Sequence, residues 1–519
     1  MRTFCFFMVF LGSVHACASS EIVELQEQQA APQVQALPLA SMPAIHRGFV
    51  REEGDTFTFH VMAKAPTKRD CYGVASLTSA ANGQELIKIF EMPRADLRIG
   101  RTSFAGLDHS ANYQLKIGYA RGAPPVSIEG WENVLSANDI QINWGTIADR
   151  PITPPAAVAS DVASFVFGSC NRFVKVGPMT FMVGKGSRMF QSMADDIAQY
   201  AAVGFATDAV VTLGDWVYND PLIWGIGEKK TFEEIASLYN LTNTTTGAKA
   251  LLQSGPPLYQ VWDDHERYND VTGEIPARKR AQADAGKRAY DLYQRPQGSA
   301  TPHNWYHIDG NVDGFVMDLR SELLPTQAQA VSQEQLDALE AYLLDPVREN
   351  RLKPVFMSTT ALCLQGDAWS ASKAQLRRLM ETIRDNNVRG VVFLTGDIHV
   401  GVSGLWQFGG DNHGPHVLEV ASSAFHKISH NKDALLRPQA DLTSGEGDGP
   451  ILNAVGGLSH ITTEDNYVRI VLNHADMSVR IIRKDRHNNL LEDLACNMEN
   501  GTLQDTEGSN ALYRWAAAD

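Results

Sequence analysis

The run Gly390–Val400, Gly-Val-Val-Phe-Leu-Thr-Gly-Asp-Ile-His-Val, constrains the fold more than any other part of the chain. Val391 to Leu394 read as a strand buried on both faces, the kind found in parallel sheets covered by helices. A glycine follows, then Asp397 and His399, two positions apart. In extended chain such positions share a face, so the spacing predicts a carboxylate and an imidazole side by side beyond the strand. Open α/β sheets bind their ligands at that edge. Taken alone, the pair also suits a hydrogen-bonded turn.

Three other stretches repeat the pattern. Phe165–Cys170 ends in a thiol, and Ala209–Asp215 ends in a carboxylate with Tyr218 three residues on. Tyr259–Glu266 ends in Asp263, Asp264, His265 and Glu266. Strand ends converging on one edge would supply Cys170, Asp215, Tyr218, Asp264, Asp397 and His399, a donor set for two metal ions. An Asp can bridge two cations, and a phenolate suits a hard trivalent ion such as Fe(III). Charge crowding at Trp262–Glu266 is costly unless cations compensate it. Within it Asp264 reads as a ligand and His265 as the proton donor to a leaving group, with Asn269 as an additional ligand.

The plainer readings are a helix-capping Asp, a packed Tyr and an exposed acidic turn. A Cys ending a strand is usually buried and inert, so Cys170 rests on the repetition alone. Asn171 and Arg172 come directly after it and can hold phosphate oxygens. Arg320 is a further candidate, although it better suits a structural Arg–Asp pair. His413, His416, His426 and His430 read mostly as surface residues of one loop, with His426 the most interesting. No nucleophile elbow, His-Glu-x-x-His helix or phosphate-binding P-loop is present.

The chain has 519 residues, enough for two or three domains. Residues 1–18 read as an export signal, and 19–44 as a flexible tether. Cleavage after Ala18 gives a free secreted or periplasmic protein; cleavage before Cys17 gives a lipoprotein, the one route by which a membrane enters. Residues 45–148 alternate in short runs and predict an all-β sandwich of the fibronectin or immunoglobulin type, with Tyr113 as its tyrosine corner. A Pro-rich linker, 149–160, precedes an α/β region over 161–500 and a tail over 501–519. Helices are predicted at 188–200, 277–295, 332–344 and 372–386, and long loops at 221–257 and 426–458. The net charge of −15 argues against nonspecific nucleic-acid binding. Four cysteines lie beyond the leader, enough for two disulfides, or one if Cys170 is a ligand.

Phe167-Gly-Ser-Cys170, Gly214-Asp-Trp-Val-Tyr218, Trp262-Asp-Asp-His-Glu266, Leu319-Arg320, Asp367-Ala-Trp369 and Thr395-Gly-Asp-Ile-His399 together resemble the alkaline phosphatase D family of calcineurin-like metallophosphoesterases. The resemblance implies a four-layer αββα domain after the small sandwich. It implies Fe(III) on Cys170, Asp215, Tyr218 and His399, with Ca(II) or another divalent ion on Asp215, Asp264 and Asp397. The expected activity is hydrolysis of phosphate monoesters or diesters of small substrates by a metal-bound hydroxide, in a monomer. A phosphodiesterase acting on phospholipids, or a cell-surface binding protein with a structural metal site, are the alternatives. Two features depart from the family: the leader lacks a twin Arg, and segment 221–257 is peculiar to this chain.

Overall fold

The computed structural model describes residues 46–51, 56–108, 111–121, 143–145, 161–176, 179–181, 183–220, 228–252, 254–295, 304–308, 312–363, 369, 371–408, 414–426 and 452–506. The predicted leader, tether and Pro-rich linker fall outside these, as do Asp367, His413 and His430.

The first described region is all β. A three-stranded sheet joins His46–Arg51, Thr56–Lys64 and Ile99–Asp108, and a four-stranded sheet joins Glu85–Glu91, Cys71–Ser79, Tyr113–Arg121 and Asn143–Gly145. Alternate residues of the two, among them Phe59, Val61, Leu77, Phe104, Leu115 and Ile117, form one buried core. This is the expected sandwich. Tyr113 closes its corner, accepting the Asp108 N–H at 2.9 Å.

The larger region stacks two sheets between helices. One has the order Leu258–Val261, Ala209–Leu213, Val162–Asn171, Tyr467–Asn473, Ser478–Lys484, Leu490–Asn497, Thr502–Asp505, and Ser423–His426 also pairs with Val162–Asn171. The other runs Tyr306–Ile308, Gly314–Val316, Lys353–Phe356, Val391–Thr395, His416–Ala421, Gly401–Phe408, Leu452–Thr462. Strand periodicity explains the layering. In Val391–Thr395, Val392 and Leu394 face the other sheet, where they meet Phe165 and Phe167. Val391 and Phe393 face the helices Gln333–Leu344 and Lys373–Asp385. Val166 and Val210, on the far side of the first sheet, pack on helices Val183–Ala202, Phe232–Thr244 and Arg280–Tyr293. The order helix, sheet, sheet, helix is the four-layer arrangement expected.

Four readings need correction. Segment 221–257 is not one long loop: it holds helices Phe232–Thr244 and Thr246–Leu252. The first opens on a capping box in which Thr231 and Glu234 satisfy each other's backbone N–H groups. Segment 426–458 likewise ends in the strand Leu452–Thr462. His416 and His426 are buried rather than on the surface. Cys71, Cys170, Cys363 and Cys496 are all free thiols, each buried in different surroundings, so no disulfide forms among them. Among the described residues no helix is long and apolar enough to cross a membrane.

Candidate metal centre

The central strands of both sheets run parallel: Val162–Asn171, Ala209–Leu213 and Leu258–Val261 in one, Gly314–Val316, Lys353–Phe356, Val391–Thr395 and His416–Ala421 in the other. Their C-terminal ends carry the residues that meet. The chain crosses between sheets at this edge, since Ser422 N–H bonds Thr395 O at 2.9 Å and Ser422 O accepts from Ser169 Oγ at 3.1 Å.

Three groups of donor atoms lie close enough to hold a cation: Cys170 with Asp215 and His399; Asp215 with Asp264 and His265; and Asp215 with Asp263 and Asp397. Within each, the donor atoms are no more than 4.8 Å apart. Asp215 belongs to all three, the placement a bridging carboxylate requires. Tyr218 donates its hydroxyl to Asp215 Oδ2 at 2.7 Å, and the Cys170 thiol lies 3.4 Å from the same oxygen. A thiol, carboxylates, imidazoles and a phenol, gathered this tightly and mostly buried, fit one hard trivalent and one divalent ion in donor chemistry.

The backbone is bent to achieve this. Cys170, Asp215, Asp397 and His399 all have left-handed φ, at 62°, 58°, 65° and 53°. Such angles are uncommon for residues other than glycine and gather at functional sites. The strand therefore ends at Thr395, and Asp397 and His399 are turn residues. Strand alternation, which predicts them side by side, does not place them; they divide between two donor groups. Gly214 and Gly396 let the turns approach. A Cβ on Gly214, itself at φ +87°, would lie 2.5 Å from Asp263 Cβ, and one on Gly396 would lie 2.6 Å from Ser169 Oγ.

Sequence reasoning missed several supports. Glu266 accepts the N–H groups of Trp216, Asp263 and Asp215 at 2.6, 2.9 and 3.1 Å. Ser423 donates to Cys170 Sγ at 3.1 Å and accepts from His399 N–H at 2.9 Å. Asp263 is gripped by Arg320 and by Ser358 Oγ, the latter at 2.9 Å. Asp220 lies against Nδ1 of His265. The crowding at Trp262–Glu266 marks Asp263 and Glu266 as a group, but the partner of each depends on which distant turn packs beside it.

The other predicted residues divide. His265 stacks on Tyr218 with ring centroids 4.0 Å apart, and its Nε2 lies 3.9 Å from both Asp215 and Asp264. Arg172 is half-buried, with its guanidinium 5.7 Å from the centroid of the Tyr218 ring, and makes no ion pair with a described residue. Asn171 is buried and faces backbone, donating to Trp216 O at 3.3 Å. Asn269 is exposed and donates to Asp270. Asn269→Ala is accordingly expected to leave metal content and turnover within about twofold of the parent, as surface substitutions away from special features do. A loss of metal in elemental analysis of that variant would make Asn269 a ligand.

Electrostatics follow from the crowding. Burial, then Asp215, pushes the Tyr218 phenol well above its ordinary range. Burial opposes charge on His265, but Asp264, Asp215 and Asp220 outweigh it and lift the imidazole to about 10. Burial, then Asp215, lifts Glu266 to about 8 despite its three N–H donors. Burial also raises Asp263, against the pull of Arg320. A cation beside Asp215 reverses the sign of these effects for the phenol.

Residues 321–481 match the family model described as PhoD-like phosphatase. The fold is similar to a solved structure described as "Structure of PhoD", with a TM-score of 0.65 at 12% identity over 92% of this chain and 94% of that one. A β-glycosidase from Bacteroides vulgatus also aligns, over 50% of this chain and 30% of its own at 12% identity, but with a TM-score of 0.18 that carries no argument. No curated protein matches the sequence. The family resemblance read from the motifs and the fold seen here agree.

Proposed function

We propose that this chain, with a PhoD-like phosphatase segment at 321–481 and the fold of PhoD, is an exported metal-dependent hydrolase of phosphate monoesters or diesters. The observation that carries the reading is Asp215, shared by three donor groups at the edge where both sheets end.

Cys170, Asp215, Tyr218 and His399 would hold the trivalent ion, Fe(III) by resemblance. Asp215, Asp264 and Asp397 would hold the divalent one, Ca(II) or another by resemblance, with Asp264 and Asp397 coming from two donor groups that share Asp215. Bound there, the ions supply Lewis acidity and neutralise the charge of an in-line displacement. The protein's own groups do the rest. Asp220 would accept the Nδ1–H of His265, and in the imidazolium form that the neighbouring carboxylates favour Nε2, on the cluster side, also carries a proton, which it would give to the departing ester oxygen, leaving neutral His265. Tyr218 packs against that ring, tilted 30° to it. Arg172, beside the Tyr218 ring, would bind a phosphate oxygen.

Elemental analysis of purified protein, together with rates on a mono-ester and a bis-ester of p-nitrophenol, tests this. The expected result is iron with a visible phenolate band, a divalent ion, and ester hydrolysis that chelation abolishes. The rate ratio then assigns the monoester or diester preference. Metal-free protein that stays inactive after reconstitution would sink the reading.

A further inference from the structure

Arg320 borders the cluster with a side chain only 1% exposed. Its Nε bonds Asp263 Oδ1, and its Nη2 lies 3.2 Å from Asp263 Oδ2, a two-point grip. The same Nη2 is 3.9 Å from Asp264 Oδ1 and 3.9 Å from Asp397 Oδ2. Those are two of the three carboxylates assigned to the divalent ion. Its backbone N–H is fixed by Asp318 Oδ1 at 3.0 Å, and Asp318 in turn takes a hydrogen bond from Trp262 Nε1 at 2.9 Å.

We infer that Arg320 is the built-in counter-cation of the divalent position: a positioning residue that keeps Asp264 and Asp397 together when that ion is absent. Several buried carboxylates side by side repel, and a buried charge without a partner is strongly destabilising. A guanidinium anchored on Asp263 offsets that repulsion. The fold then tolerates loss of the divalent ion. The same charge weakens the hold on the ion, because metal and guanidinium act on the same two carboxylates. The inference rests on the metal half of the proposed function and is independent of its phosphatase half.

The test is thermal melting of full-length wild type, Arg320→Met and Arg320→Lys, each with chelator and with saturating Ca(II) or Mn(II). Substrate plays no part, so failure of the phosphatase reading leaves the test intact. Ligands that bind only the folded state raise the midpoint in proportion to that binding. The expected result is a small metal-dependent rise in wild type and a larger one in Arg320→Met, with Arg320→Lys between them. Loss of stability in Arg320→Met should be concentrated in chelator and mostly recovered with metal. Equal rises in all three proteins, or no rise in any, would overturn the inference, since Arg320 would then serve packing alone. If Arg320→Met is not recovered folded, the comparison of Arg320→Lys with wild type decides by the same criterion.

Discussion

Asp215→Asn is expected to strip both metals from the protein and to lower ester hydrolysis by on the order of 10³-fold, the scale seen when one transition-state contact is removed. The substitution keeps the shape and removes the charge. Asp215 is the one donor common to all three groups, so no single remaining set retains its bridging anion. Tyr218 and Cys170 both direct their protons at Asp215 Oδ2, so the substitution also removes the charged acceptor that both groups face. The fold should survive. In chelator, the variant is expected to melt no lower than wild type, because a carboxylate buried among other carboxylates has been neutralised. Metal analysis, melting and turnover on one preparation separate the outcomes: full metal content with full activity would remove Asp215 from the mechanism.

Much of this architecture is legible because it arises from local physics. Runs such as Val391–Leu394 and Ala209–Leu213 are apolar on consecutive residues because each strand is covered on both faces, by the other sheet and by helices. The residues just past each run are polar because parallel strands end at an open edge. That logic reaches the donors Cys170, Asp215, Asp264, Asp397 and His399. It reaches the mode of their placement less well: left-handed turns, not strand alternation, aim four of them.

Other features depend on partners far away in sequence. Glu419 sits inside a strand, yet its carboxylate accepts N–H groups of Ala361 and Leu362 at 2.7 Å and also that of Cys363, fixing the turn after Lys353–Phe356. Nothing beside Glu419 in sequence marks that role. Counting cannot sort the cysteines, because pairing depends on which cores they enter: Cys71 lies in the sandwich and Cys496 between the two sheets. The helices at 232–252 escape a reading by composition although Thr231 and Glu234 carry a capping signature, because the Asn- and Thr-rich run at 240–246 reads as loop.

The same dependence on distant partners makes Glu266 the position where stability is most exposed. Its two oxygens serve three backbone N–H groups from the two turns that carry Asp215 and Asp263. Glu266→Ala leaves all three buried donors unsatisfied, at about 1–3 kcal/mol each. Water entering the space left behind recovers part of that. A net cost of about 3–6 kcal/mol remains, a large share of the roughly 5–15 kcal/mol typical of a folded domain. The variant is therefore expected to melt far below wild type, to lose its metals, and to be largely insoluble at about 37 °C as a practical consequence. Glu266→Gln separates the clasp from the charge. Its single amide oxygen can replace Oε2 and keep the Asp215 and Asp263 bonds, but its NH₂ then faces the Trp216 N–H, donor against donor. One bond of three is lost, so its melting midpoint should fall between wild type and Glu266→Ala. The order wild type, Gln, Ala in midpoint and in metal content is the outcome required if Glu266 aligns the two turns. A Glu266→Ala protein that melts with wild type and keeps its metals would show that the turns hold their left-handed geometry without it.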